Sequence, residues 1–195
     1  VELLEGGAVI ATVLADGGGA FSAAPSLGEG SHVLVARAKD AAGNVGPDSD
    51  PVTVLVDRTP PGVPLVSVPA DGAVLGLDEA PGGVVAVSGS AEVDATVELQ
   101  VSGVPLPAVA AGADGAFSTT VSLADGDYLV SARAVDAAGN AGGWSVPSAF
   151  TLDTAPPGQP LLTTPADGAS LDDLTIRVEG LVDADTVAVD LLEGG

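Results

Sequence analysis

Apolar and polar residues alternate along several short stretches of the chain, most clearly in residues 33–39, VLVARAK. Val33 and Val35 fall on one side of this stretch, and Leu34 and Ala36 fall on the other, which is the two-residue period of a β-strand. No stretch carries apolar residues at the i, i+3, i+4, i+7 spacing of a helix. The pattern therefore predicts an all-β protein.

The same pattern occurs twice, 96 residues apart. Residues 33–61 are VLVARAKDAAGNVGPDSDPVTVLVDRTPP, and residues 129–157 are LVSARAVDAAGNAGGWSVPSAFTLDTAPP. Each copy predicts a strand, a tight DAAGN turn, a second strand and a Pro-Pro segment whose fixed φ angles interrupt strand pairing. We interpret each copy as the closing hairpin of a β-domain, followed by an inter-domain linker.

Seven short strands are predicted between the two Pro-Pro segments, at 63–68, 84–89, 95–101, 104–110, 115–122, 127–135 and 144–152. Seven strands separated by turn signals favour an immunoglobulin-like antiparallel β-sandwich. The expected fold is a tandem array of such sandwiches with a repeat of about 96 residues. The predicted units are 1–57, the C-terminal part of one repeat; 58–153, a complete repeat; and 154–195, the N-terminal part of a further repeat.

The third predicted unit carries strands at 161–164, 175–180 and 184–192. The segment VELLEGG at 1–7 returns as VDLLEGG at 189–195, so the first and last residues fall at the same phase of the repeat. Each partial unit would expose unpaired strand edges. We expect either a longer parent chain or neighbouring copies that complete each other.

Charge narrows the partners that the chain can bind. There are 27 acidic residues against 5 basic ones, for a net charge of −22. Such a surface repels nucleic acid and anionic membranes and attracts cations. No apolar run reaches 18 residues, so no membrane insertion is expected, and the absence of cysteine excludes disulfides and thiolate metal sites.

Few residues suggest catalysis, and we predict that the chain is not an enzyme. His32 is the one histidine, and its counterpart 96 residues on is Tyr128, which sits where sandwich domains often carry a corner tyrosine. The change from tyrosine to histidine leaves open whether both copies share the corner hydrogen bond. Arg37 and Arg133 are equivalent and are expected to lie across neighbouring carboxylates. Trp144 is expected at the rim of the core, with sugar stacking as the alternative.

The paired motifs resemble the bacterial immunoglobulin-like repeats of large secreted and surface proteins, including adhesins. The resemblance rests on residues 36–44 with Val56-Asp57-Arg58-Thr59-Pro60-Pro61, and on residues 132–140 with Leu152-Asp153-Thr154-Ala155-Pro156-Pro157. It implies an extracellular or cell-surface location and a role as stalk or spacer.

The resemblance also implies calcium at the domain junctions, because related adhesin repeats often bind it there. The residues that could supply oxygen ligands are Asp40, Asn44, Asp57 and Asp71 at one junction, and Asp136, Asn140, Asp153 and Asp167 at the next. The plain alternative is that the Asp and Asn side chains only stabilise turns through local backbone hydrogen bonds.

The function predicted is a non-catalytic structural segment of a secreted or cell-surface, adhesin-like bacterial protein. Its partners would be adjacent repeats in the same chain or in neighbouring subunits. One alternative is an extracellular fibre subunit whose split domains are completed by head-to-tail strand addition. Another is a glycan-binding accessory module centred on Trp144.

Overall fold

The computed structural model describes residues 1–172, 175–184, 186 and 188–192. These residues form sixteen β-strands and one short 3-10 turn, Pro81–Gly83. The chain is therefore all-β, as its alternating pattern predicts. Within the same residues, no helix has the length and apolar character needed to span a membrane.

The first five strands form one sheet, which we call the N-terminal sheet. They are β1 (Glu2–Glu5), β2 (Ala8–Thr12), β3 (Gly30–Lys39), β4 (Val45–Asp48) and β5 (Val52–Val56). The order is β2-β1-β3-β4, β5 also pairs with β3, and every pair is antiparallel. In the described part of the chain, these strands pair only with one another.

The next nine strands form two sheets that we call the central sandwich. They are β6 (Leu65–Val68), β7 (Ala73–Leu75), β8 (Val84–Ser90), β9 (Thr96–Val101), β10 (Val104–Pro105), β11 (Val109–Ala110), β12 (Ala116–Ser122), β13 (Gly126–Val135) and β14 (Ser148–Leu152). One sheet has the order β12-β8-β6. The other has the order β10-β9-β13-β14-β7, with β11 also on β9.

Alternate residues from both sheets point inward and form the core of the central sandwich. Val85 and Val87 of β8 and Phe117 of β12 meet residues of the facing sheet, and all three are at most 3% exposed. The facing residues are Val97, Leu99, Val101, Val130, Ala132, Phe150 and Leu152. Two packed sheets with this strand arrangement form an immunoglobulin-like sandwich.

The predicted strands of the central sandwich need three corrections. The strand expected at 104–110 is two short strands, because Pro107 between them has no N–H to donate. The strand expected from residue 144 begins at Ser148, after Pro147. Strand β7 was not predicted. It pairs in parallel with β14, whereas β6 pairs with β8. The chain therefore passes from one sheet to the other between β6 and β7.

The last two strands, β15 (Leu161–Thr164) and β16 (Glu179–Leu181), form an antiparallel pair that we call the C-terminal hairpin. The strand predicted at 175–180 is thus shorter and lies later. Of the strand predicted at 184–192, residues 185 and 187 lie outside the described residues, as do the last three residues of VDLLEGG. The described residues of that segment are not in a strand.

Candidate functional site at the entrance to the central sandwich

The second DAAGN turn is closed by its own polar side chains. The backbone N–H of Asn140 donates to Asp136 Oδ1 at 2.8 Å, and Asn140 Nδ2 donates to Asp136 Oδ2 at 2.8 Å. The amide of Asn140 holds the pKa of the Asp136 carboxyl below its usual range, since it stabilises the ionised form. This pair fixes the loop between β13 and β14.

The same turn contacts residues 57–61, the segment through which the chain enters the central sandwich. Asn140 Nδ2 also donates to the backbone oxygen of Asp57, 3.0 Å away and 83 residues earlier in the chain. Pro61 is buried, and a Cβ placed on Gly142 would lie 2.5 Å from the Pro61 oxygen. The absence of a side chain at Gly142 therefore lets the Pro-Pro segment pass directly over the turn. We call residues 57–61 and 136–143 the junction.

The first DAAGN turn has the same internal bonds but no such contact. Asn44 donates to Asp40 through its backbone N–H at 2.8 Å and through Nδ2 at 2.7 Å. This amide likewise lowers the pKa of Asp40. Asn44 is exposed, whereas Asn140 is half-buried against the entering chain. The two turns thus share a local structure, and among the described residues only the second one binds a Pro-Pro segment.

Three of the four remaining predicted metal ligands accept backbone hydrogen bonds, each at a separate place. Asp57 Oδ1 accepts from Thr59 N at 3.0 Å, and Asp153 Oδ1 accepts from Ala155 N at 3.2 Å, so each carboxylate closes a turn at the start of a Pro-Pro segment. Asp71 Oδ1 accepts from Ala149 N at 2.9 Å, where the chain switches between sheets. Asp167 lies in the turn that follows β15.

The junction does not offer a ready-made cation site. Both carboxylate oxygens of Asp136 and the backbone oxygen of Asp57 already accept N–H donors. Within the described ranges, no three acidic or histidine side chains come together in a way that could hold a metal ion. Calcium prefers six to eight oxygen ligands, so binding here would require these hydrogen bonds to be exchanged for metal contacts.

The two equivalent arginines lie across carboxylates, as predicted. Arg37 Nε donates to Glu2 Oε2 at 2.7 Å, and Arg133 Nε donates to Glu98 Oε2 at 2.6 Å. Trp144 differs from its prediction, because it packs over the Arg133 guanidinium at 5.0 Å rather than joining the core, and it is 41% exposed. The cation–π contact holds the indole on the outer surface of the sheet.

The corner hydrogen bond is present in both copies, which answers the point that the sequence left open. Tyr128 Oη donates to the Ala124 oxygen at 2.9 Å, and His32 Nε2 contacts the Gly28 oxygen at 3.0 Å. Both partners lie four residues upstream of the ring. Histidine can replace tyrosine here because its Nε2–H reaches the same carbonyl. The other ring nitrogen, Nδ1, bonds Glu5, and this bond raises the pKa of His32.

These features define the class of protein as an immunoglobulin-like β-sandwich protein. Residues 83–154, from the turn before β8 to just beyond β14, match the model of the family described as "Bacterial Ig-like domain". The predicted resemblance to bacterial immunoglobulin-like domains is thus confirmed over these residues. Among curated proteins, no sequence matches the chain significantly.

Solved structures with distant similarity belong to several bacterial proteins. The fibronectin(III)-like modules of Clostridium thermocellum CbhA are 16% identical, with a TM-score of 0.48, and the match covers 78% of this chain and 76% of that one. A Corynebacterium diphtheriae protein described as membrane-anchored is 16% identical at a TM-score of 0.38, over 71% of this chain and 36% of that one. Bacteroides ovatus SGBP-B, in complex with a mixed-linkage heptasaccharide, is 18% identical at a TM-score of 0.29, over 86% and 43%.

Proposed function

We propose that the chain is a non-catalytic spacer segment of a secreted or cell-surface, adhesin-like bacterial protein. Its units would be tandem immunoglobulin-like repeats of about 96 residues, divided at 1–57, 58–153 and 154–195. The spacer would hold neighbouring units at a set orientation. Its partners would be adjacent repeats of the same kind.

The observation that carries this proposal is the hydrogen bond from Asn140 to Asp57 across the junction. A flexible linker would leave the Pro-Pro segment in solvent, but Pro61 is buried against the turn. Because proline also fixes φ, the junction has few rotatable bonds with which to reorient its two sides. Contacts of this kind would orient one unit on the next.

The recurrence of whole hydrogen-bond sets supports the repeat. Ser49 and Ser145 both accept a backbone N–H through Oγ, from Ala36 at 3.0 Å and from Ala132 at 3.1 Å. The residue after each linker aspartate also bonds an upstream acidic side chain, Glu29 for Arg58 and Asp125 for Thr154, both at 2.9 Å. Each residue of a contact in the first copy has its counterpart 96 residues later in the second. The two copies therefore share hydrogen bonds as well as sequence.

Distance measurements between spin labels test the proposal. The chain has no cysteine, so labels can be placed uniquely at Leu14→Cys in the N-terminal sheet region and at Val104→Cys in the central sandwich, both exposed positions. We expect a narrow distance distribution that broadens in Asn140→Ala. The matched control is Asn44→Ala, which removes the same turn bond without a linker contact and should leave the distribution unchanged. A broad distribution in the parent chain would contradict an orienting junction.

Calcium binding at the junctions remains a prediction, and it needs a separate experiment. Thermal melts in EDTA, in calcium and in magnesium separate specific binding from charge screening, because magnesium has the same charge but demands a tighter octahedral site. A rise in melting temperature with calcium alone, lost in Asp57→Ala or Asp153→Ala, would support a metal-stiffened spacer. Equal melts in both ions would leave the acidic residues as turn-forming groups.

Glycan binding through Trp144 is the second candidate, favoured by one observation. The indole is 41% exposed beside Gln100 and Arg133, whose polar atoms could reach sugar hydroxyls. An immobilised polysaccharide panel tests it, with Trp144→Ala as the variant and Tyr128→Phe as a control aromatic on another part of the domain. Retention of the parent chain that is lost only in Trp144→Ala would favour this role.

A further inference from the structure

We propose that the open edge of β12 in the central sandwich pairs with the same edge of a second copy of this chain. The three-stranded sheets of the two sandwiches would then become one continuous sheet. The inference concerns one domain with a closed core, and it does not depend on the spacer role. A strand that pairs with its own copy forms a two-fold dimer that grows no further.

Strand β12 is the one long, regular edge of the central sandwich. Its seven residues, AFSTTVS, pair with β8 without a register shift, and among the residues that the structure describes no strand pairs with its other side. The other edges are short or interrupted. β7 has three residues, β10 has two and includes Pro105, and β6 has an irregular register between Pro64 and Pro69. Short strands, bulges and prolines protect an edge from pairing with another chain, and β12 has none of these.

The backbone groups on the open side of β12 can be assigned. At the ends of the β8–β12 ladder, Ala91 N donates to the Gly115 oxygen and Leu123 N donates to the Gly83 oxygen, so the odd-numbered residues bond β8. The even-numbered residues therefore direct their N–H and C=O groups to the open side. Ala116 is already bonded, to Gly112 N and to Asp114 Oδ1. The free residues are Ser118, Thr120 and Ser122, which are all exposed.

The charge distribution favours a second copy as the occupant. The net charge is −22, yet β6, β8 and β12 contain no charged residue. By contrast, Glu98 and Arg133 lie on the outer face of the opposite sheet, and Glu2 and Glu5 lie on the N-terminal sheet. A two-fold contact brings like residues together, so an uncharged edge avoids the repulsion that other surfaces of this chain would cause. A basic partner would instead bind where the acidic residues are.

The free backbone groups also determine the register of the dimer. With Thr120 on the two-fold axis, Ser118 pairs with Ser122 of the second copy, and Thr120 pairs with its own counterpart. Each of these antiparallel pairs can exchange two hydrogen bonds, so every free group is used. An axis at Thr119 or Val121 would leave one of the three residues without such a partner. The paired hydroxyl side chains add further cross-strand contacts.

Sedimentation of the full chain over a range of concentrations provides the first test. We expect the weight-average mass to rise with concentration from the 18.7 kDa of one chain and to level off at twice that value. Salt should strengthen the association, since it screens the repulsion between two chains of charge −22. Growth beyond a dimer would indicate a head-to-tail contact and would contradict pairing of β12 with itself.

A matched pair of charged variants locates the contact. Thr120→Glu places two carboxylates opposite each other at the axis and should weaken dimerisation by at least roughly tenfold. Ala86→Glu is the control, because Ala86 pairs with Thr120 on the neighbouring strand, is exposed on the same face and adds the same net charge. In the dimer its two copies would be separated by both β12 strands. Urea unfolding followed by Trp144 fluorescence shows whether both variants remain folded.

Disulfide formation tests the register, because the chain has no cysteine of its own. The Cα atoms of a hydrogen-bonded antiparallel pair lie about 5.5 Å apart, within the roughly 4.4–6.8 Å of a disulfide. Thr120→Cys should therefore form a covalent dimer on mild oxidation. Ser122→Cys alone should not, since its own copy would lie about 14 Å away along the strand. An equimolar mixture of Ser118→Cys and Ser122→Cys should form the mixed dimer.

Three results would each overturn the proposal. They are a parent chain that stays monomeric at every concentration, a folded Thr120→Glu variant that dimerises as well as Ala86→Glu, and Ser122→Cys that crosslinks as readily as Thr120→Cys. The cysteine variants keep the test decisive if Thr120→Glu does not fold. None of these results would bear on the Asn140 junction, which the spin-label distances test separately.

Discussion

At the scale of single residues, one structural task is performed by two different side chains. Tyr128 and His32 both hold the carbonyl four residues upstream, and so both close the corner before a long strand. The histidine adds a charge-dependent contact that the tyrosine lacks, because its second nitrogen bonds Glu5. With both ring nitrogens next to acceptors, the arrangement favours the protonated imidazolium.

This arrangement predicts a pH-dependent N-terminal sheet. The Glu5 hydrogen bond, followed by the Gly28 carbonyl, raises the pKa of His32 above its ordinary 6.5. A raised folded-state pKa gives stability that is fully present below about 6.5, and this stability is lost as the pH rises through the folded value. Because His32 is the one histidine, its NMR titration is a single curve. We expect a midpoint above 6.5 and smaller protection factors for the β3 amides, the intrinsic exchange rate divided by the observed one, at higher pH.

Glu5→Gln is the control for the His32 titration. It removes the carboxylate but keeps the size of the side chain, so the midpoint should move down towards the ordinary histidine value. The protection factors of the β3 amides should then lose most of their dependence on pH. A parent-chain midpoint at or below 6.5 would show that Glu5 does not hold the imidazolium.

At the scale of strands, close backbone approach matters as much as apolar pattern. Strand β8 runs so near to β6 that only glycine fits at position 89, where a Cβ would meet both the Leu65 oxygen and the Phe117 ring, at 1.9 Å and 2.7 Å. The backbone oxygen cannot move away without breaking the pairing of these strands. Gly180 in the C-terminal hairpin has the same role opposite Leu161.

Gly89→Ala is therefore expected to destabilise the central sandwich by about 1–3 kcal/mol, the usual range for inserting a methyl group into a packed region. Urea unfolding followed by the fluorescence of Trp144 measures this change, because the indole lies on the same sandwich. Gly62→Ala is the matched control, since a Cβ there meets nothing within 4 Å. Equal midpoints for the two variants would contradict the close approach of β6 and β8.

The alternating pattern was sufficient to predict the all-β fold and most strands, because strands such as β13 bury one face and expose the other. It could not reveal β7, whose three residues are too few for a period and whose partner β14 lies far along the chain. The hydrogen bond between Asn140 and Asp136 could be predicted, because Asp and Asn side chains commonly stabilise turns. The contact of Asn140 with Asp57 did not, because it joins residues 83 apart, although Gly142-Gly143 beside the turn was a signal of close approach.

At the scale of the whole molecule, charge repulsion opposes every compact arrangement of this chain. The net charge is −22, and the described residues form four ion pairs, each partly open to solvent. Salt weakens such pairs, but it also screens repulsion among 27 acidic residues. Because the acidic residues far outnumber the pairs, the screening of repulsion should win.

We therefore expect the free energy of unfolding to rise as ionic strength increases from about 0.01 to about 1 M, over which the screening length falls from ~30 Å to ~3 Å. Urea unfolding in sodium chloride, at protein concentrations low enough to keep single chains, measures the trend. Potassium chloride is the control, because screening depends on ionic strength and not on the identity of a monovalent cation. Stability that falls with salt would instead mean that the Glu2–Arg37 and Glu98–Arg133 pairs outweigh the repulsion. An increase with sodium alone would indicate a bound ion rather than screening.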